Sequence, residues 1–322
     1  MVRHKQFLAR WMAVLVLLLL VGCATPSGGG PGGESDPKAE PEPAPPPSSN
    51  TAPPDAKGAM PSISGISFVD EHHGWMVQGQ SILRTSDGGL TWQQVASMPT
   101  TRPDGVQSLT RDSGWAASED GLFRTNDGGQ TWEQVLSANF LYGRFQFVDD
   151  RHGWIRLYPN SFKATQDGGK TWIPLVSPCQ QGGVFNFIDP RNGWMICPTG
   201  GGAGIEQKEL FRTEDGGATW RFLTRTGSQP GDMPLSSYAR DLFFLDAQHG
   251  WLGTAKGDLL LSRDGGKSWS RLPGLGGDVV DLQFLSPQQG YAVVTQSPDS
   301  SRLLVTSDGG KTWVERYVVV PK

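Results

Sequence analysis

One eight-residue string recurs six times along this chain. It reads Thr85-Ser86-Asp87-Gly88-Gly89-Leu90-Thr91-Trp92 in its first copy, and returns at Thr125 to Trp132, Thr165 to Trp172, Thr213 to Trp220, Ser262 to Trp269 and Thr306 to Trp313. Its acids are Asp87, Asp127, Asp167, Asp215, Asp264 and Asp308, spaced 40, 40, 48, 49 and 44 residues apart. A second string precedes each copy: Gly74-Trp75, Gly114-Trp115, Gly153-Trp154, Gly193-Trp194, Gly250-Trp251 and Gly290-Tyr291. A short apolar run stands before that, as in Ile66-Ser67-Phe68-Val69-Asp70. Self-similarity at this period means a repeat architecture, in which no unit can bury its apolar face alone.

Each unit reads as four short strands. Strand A is the apolar run that ends in a turn-forming Asp. Strand B starts at Gly-Trp, strand C is of the Ile82-Leu83-Arg84-Thr85 type, and strand D starts at Thr-Trp. Strands of four to seven residues separated by Gly, Asp and Asn turns make an antiparallel meander, and four of them fill one propeller blade. The expected fold is all-β, a single propeller over residues 62–322 with six blades and no gap long enough for a seventh. Asp-Gly-Gly is hairpin chemistry, because glycine takes positive φ freely and the carboxylate can accept backbone N–H groups across the turn. Eleven of the twelve Trp fall in the two repeated strings, which assigns them to the core and not to a ligand cage.

Outside the repeats the chain changes character. Arg3, Lys5 and Arg10 precede an apolar stretch from Trp11 to Val21, followed by Leu20-Val21-Gly22-Cys23. A basic flank, a short apolar core and small residues before a Cys mark residues 1–22 as a lipoprotein signal peptide, with Cys23 as the acylated residue. Several acyl chains would anchor the protein without a spanning helix. Residues 23–61 then form a Pro- and Gly-rich linker with no apolar periodicity. Such a segment is expected to be disordered, and to span from about 35 Å as coil to about 100 Å when extended. The formal charge of the chain is −4, without the basic excess that nucleic-acid binding requires.

The strings Phe68-Val69-Asp70-Glu71-His72-His73-Gly74-Trp75 and Thr85 to Trp92 together resemble the photosystem II stability/assembly factor family, whose Asp-box (BNR) repeat is shared with the sialidase superfamily. The resemblance covers residues 62–322. It implies an extracytoplasmic propeller, in bacteria often a lipoprotein on the outer side of a membrane, that acts as an assembly scaffold for a membrane-associated protein partner. It also implies a common count of seven blades, against the six motifs present here.

The enzymatic alternative is a secreted glycan-binding or sialidase-type glycoside hydrolase. It would need an Arg cluster, a Tyr–Glu pair and an acid on the axis, together with a Phe/Tyr-Arg-Ile-Pro string that this chain lacks. Arg84, Arg124 and Arg212 repeat at one place in three units, so they read as structural. Gly168-Gly169-Lys170-Thr171 and its two cognates lack the upstream Gly of a phosphate loop and sit between strands. Each Asp-box offers one carboxylate where calcium wants several oxygens. No catalytic residue, metal or cofactor is assigned from the sequence.

Two features remain. Cys179 lies in a D–A connection and Cys197 at the end of a B strand, and these positions share one face of a meander. An oxidising compartment would pair them. Blade 4 also carries two insertions, 198–209 and 224–239, on that same face. Loops on a rigid scaffold carry recognition, which makes Arg225, Met233, Tyr238 and Arg240 the candidate partner-binding residues.

Overall fold

A computed structural model of the chain describes residues 62–95, 103–141, 143–227, 229–297 and 300–316. Cys23, the signal segment and the linker lie outside these residues, as does the chain after Arg316. Six four-stranded antiparallel sheets follow one another, each built from consecutive strands. In blade 1 these are A (Ile63–Phe68), B (Gly74–Gln78), C (Ser81–Thr85) and D (Gln93–Gln94). The other inner strands are Pro103–Ser108, Arg144–Phe147, Val184–Phe187, Ala239–Phe244 and Asp278–Phe284. The fold is thus the six-bladed all-β propeller that the repeat count demands. Among the described residues no helix is long and apolar enough to cross a membrane.

The Asp-box is a closed hydrogen-bond unit. Asp87 Oδ1 accepts from Leu90 N at 3.0 Å and Thr91 N at 2.9 Å, while its Oδ2 accepts from the Thr91 hydroxyl at 2.6 Å. Thr85 Oγ1 donates to Asp87 and accepts from Gly89 N. Gly88 and Gly89 both have positive φ, and a Cβ on Gly88 would stand 2.7 Å from the Glu71 carbonyl. Because Thr-Trp is bound into this turn, strand D begins after the Trp and not at Thr-Trp as the sequence suggested. The pattern repeats in the other blades. The Asp127 and Asp167 carboxyls are pulled down to about 2, first by the hydroxyls of Thr131 and Thr171, then by the same residues' N–H groups.

Blades are joined by stacked rings. The strand B aromatic of one blade lies flat on the Phe that ends strand A of the next: Trp115 on Phe147, Trp154 on Phe187, Trp194 on Phe244 and Trp251 on Phe284, with centroids 3.6 to 4.1 Å apart. The strand D Trp meets the same Phe edge-on, as Trp269 meets Phe244 at 6.0 Å. Each ring pair adds about 0.5–1.5 kcal/mol beyond its buried area. The Gly of Gly-Trp makes room for the stack, since a Cβ on Gly193 would lie 2.4 Å from the Phe187 ring.

The same device closes the ring. Tyr291 of blade 6 stacks on Phe68 of blade 1 at 3.7 Å, and Gln283 bonds both the N–H and the carbonyl of Phe68. Arg316 donates to the Gly88 carbonyl. Blade 6 supplies its own outer strand, Val314–Arg316, and among the described residues no strand is exchanged between the ends. Blade 2 departs from the pattern, because Ser108 stands where other blades have Phe; it hydrogen-bonds Ser67 instead. Arg84, Arg124 and Arg212 lie over Trp75, Trp115 and Trp194, at 4.9 to 5.4 Å, in the structural role their repetition implied.

Candidate functional site: the loop face and its axial well

A–B turns and Asp-boxes emerge on one side of the ring, tied by bonds such as Gly88 N to His72 O. B–C and D–A connections emerge on the other, hereafter the loop face. On the Asp-box side His73, His152 and His249 are each bonded to the Asp three residues before and cap the A–B turn.

Blade 4 dominates the loop face. Its strands B (Gly193–Gly202) and C (Ile205–Thr213) extend past those of the other blades and stay paired up to Gly202↔Ile205. The second insertion closes on itself at the bridge Thr226↔Met233 and folds back on this hairpin through the bridge Glu206↔Ser236. Lys208 holds the two together. Its side chain is wholly buried, and Nζ donates to Glu206 O at 2.9 Å, Ser236 O at 3.3 Å and Ser236 Oγ at 3.2 Å. Burial pushes the ammonium down to about 8, against the pull of Glu206 and Asp258. Arg271 bridges Asp258 and the Leu235 carbonyl, and Ser237 N donates to Asp258. The insertions therefore form a fixed platform. Cys179 and Cys197 are joined in a disulfide that fastens the connection between blades 3 and 4 to the base of the hairpin.

A cavity of about 730 Å³ opens on this face around the axis. Its wall is the first half of each inner strand, including Arg144, Phe145, Phe185, Tyr238, Asp241 and Asp281. Arg144 pairs with Asp241 at 3.0 Å and donates to the Arg240 carbonyl. Asp241 also accepts from Leu282 N at 2.8 Å, and Asp281 accepts from Ile66 N at 2.9 Å. Burial first, and then the touching Asp241 carboxyl, raise Asp281 well above the usual carboxylate range. Arg156, also on the wall, is pushed down to about 10 by burial and by Arg144.

The four residues expected to bind a partner separate. Tyr238 and Arg240 stand on the rim of the cavity, Tyr238 45% exposed and Arg240 paired with Asp278 at 3.4 Å. Arg225 is exposed on the outer wall, over the Phe222 ring. Met233 is 0% exposed and packs in the core with Leu242 and Phe244, so it is not available to a partner. The inserted loop needed its own core residue, and Met233 supplies it.

Arg144, Arg156, Asp241 and Asp281 escaped the sequence reading. Their signal was offset, not motif: Arg144, Asp241 and Asp281 each stand nine residues before the Gly of Gly-Trp, in strands otherwise read as apolar. Seven before that Gly stand Ser67, Gln107, Gln146, Asn186 and Gln283, which reach across to the next inner strand; blade 5 has Phe243 there and uses Asp241 instead. The axial carboxylates are thus tied to backbone and to Arg144 as joints between blades. Among the described residues no group of three His, Cys, Asp or Glu is placed to hold a metal ion.

Fold and turn chemistry define an Asp-box propeller with a charged axial well. The sequence resembles the photosystem II assembly factor family: residues 58–145 match the family described as "Photosynthesis system II assembly factor YCF48". Among solved structures the chain is similar to YCF48 bound to D1 peptide (22% identity, TM-score 0.51, 80% of this chain and 81% of that one). It is similar to YCF48 from Cyanidioschyzon merolae (20%, TM-score 0.50, 79% and 84%). It also matches the GH74 xyloglucanase from Xanthomonas campestris (13%, TM-score 0.52), covering 80% of this chain and 47% of the enzyme. At these identities the structural likenesses speak for the fold alone. No curated protein matches the sequence.

Proposed function

We propose that this chain is a lipid-anchored extracytoplasmic scaffold, held at Cys23 on the outer side of a bacterial membrane, that grips a segment of a membrane-associated protein partner on its loop face. One observation carries the reading. The axial cavity opens among the displayed connections of blades 3 to 5, while the opposite face consists of turns whose polar groups already bond one another. A wall of charged and aromatic side chains on rigid strands suits an extended polypeptide, which presents backbone amides and anchor side chains together. A propeller of the same fold has been solved with a D1 peptide bound.

The insertions anchor the core through Met233 and Lys208, so shortening them would unfold blade 4. Point variants are the better test. Tyr238→Ala with Arg240→Ala should lose a membrane protein complex that the wild type captures from detergent-solubilised membranes, and Lys267→Ala on the opposite face should keep it. Equal capture by all three would overturn the assignment.

The Arg–carboxylate cluster on the axis favours a second reading, a glycan-binding or sialidase-type hydrolase. Binding on a glycan array that is lost in Arg144→Ala, with no protein captured, would select it.

A further inference from the structure

Eight large apolar side chains are strongly exposed among the described residues. Six of them, Leu141, Tyr158, Val176, Ile205, Leu235 and Tyr238, stand in connections of the loop face between the blade 2–3 and blade 4–5 junctions. The other two, Ile173 and Phe222, lie on outer strands of blades 3 and 4, and the Asp-box face has none. The six do not line one groove. They project from five separate connections, one or two to each. Two are tyrosines, whose ring and hydroxyl suit the boundary between hydrocarbon and water. The amine of Lys256 sits against Gly204, beside Ile205 at the hairpin tip, as a cation does where an apolar tip meets phosphate.

The chain also enters the propeller on this side. Gly79 N, in the B–C turn of blade 1, donates to the Ser62 carbonyl at 3.0 Å. Ser62 follows Cys23 by 39 residues.

From these observations we propose that the loop face of blades 3 and 4 docks on a lipid bilayer surface, with its apolar tips in the headgroup boundary. The tether part of this proposal rests on the anchored reading above. Docked in this way, the axial well faces the membrane and is positioned for a partner segment that emerges from it.

The test uses the full chain, isolated from membranes and reconstituted in phosphatidylcholine vesicles containing spin-labelled lipid. One environment-sensitive fluorophore is attached at Leu141→Cys and, in a separate sample, at Lys267→Cys. The expected result is blue-shifted emission at 141, quenched several-fold by the labelled lipid, with water-like emission at 267. Adding Ile205→Ser and Leu235→Ser should abolish the quenching at 141. A chain that floats with the vesicles while both probes remain water-like overturns the docking and leaves the anchor standing. Quenching that arises only once a membrane protein is co-reconstituted overturns it in favour of a protein surface. A chain that stays off the vesicles overturns both readings.

Discussion

On the Asp-box face, every A–B connection has the same length and every C–D connection repeats one string. On the loop face, the step from the strand B aromatic to the end of strand C runs from 10 residues in blades 1 and 2 to 19 in blade 4. The first face uses up its polar groups internally, as the Asp87 carboxylate does with Leu90, Thr91 and Thr85. The second leaves aromatic, aliphatic and cationic side chains to solvent around a cavity. A turn whose carboxylate is bonded within its own eight residues can be copied six times with little reference to its surroundings. A recognition surface cannot be copied, since each loop must meet a different part of the partner. Substitution should therefore cost stability on one face and binding on the other.

The largest effect is expected inside the stacks that both faces rest on. Phe244 lies between Trp194 and Trp269, and Phe244→Ala should destabilise by about 3–5 kcal/mol in denaturant titration; a loss under 1 kcal/mol would discredit the stacked-ring account. Next comes the disulfide. Replacing Cys179 and Cys197 by Ser opens a closed loop of 18-residue separation and should cost about 3 kcal/mol, while intact-mass analysis of the wild type should find no free thiol at either position. On the Asp-box face, Asp87→Ala strands several N–H groups and should cost about 1–2 kcal/mol without changing partner capture.

A pH experiment sharpens the contrast at the axis. Asp281 has a folded value raised above its unfolded one, so its contribution is fully present below the unfolded value of 3.8 and is lost as pH rises through the folded value. Asp281→Asn keeps a donor toward Asp241 but cannot ionise. Its stability should decline less between pH 4 and pH 8 than that of the wild type; parallel curves would show that the carboxyl pair does not hold its proton. The smallest change in stability is expected for Tyr238→Ser, within about 0.5 kcal/mol because the side chain is exposed, yet this variant should bind least.

These two faces were not equally legible in the sequence. Blade count, turn chemistry and the burial of the tryptophans followed from repetition, because identical strings must satisfy identical local physics. Ring closure did not, since Tyr291 meets Phe68 from 223 positions away in the sequence and replaces the Trp of the other blades. The axial cluster was hidden because Arg144, Asp241 and Asp281 converge only once three inner strands share a register. Met233 was misplaced for a related reason: whether an apolar residue in an insertion faces solvent or core depends on the fold of the insertion itself, which Lys208 and the Thr226↔Met233 bridge decide.

Photo-crosslinking in intact cells tests the central claim most directly. A photoreactive residue placed at Tyr238 and, separately, at Lys267 samples the two faces in otherwise identical molecules. Adducts to one membrane protein from position 238, and none from 267, are the predicted result. Adducts from 267, or the same adducts from both, would contradict the division of labour between the faces.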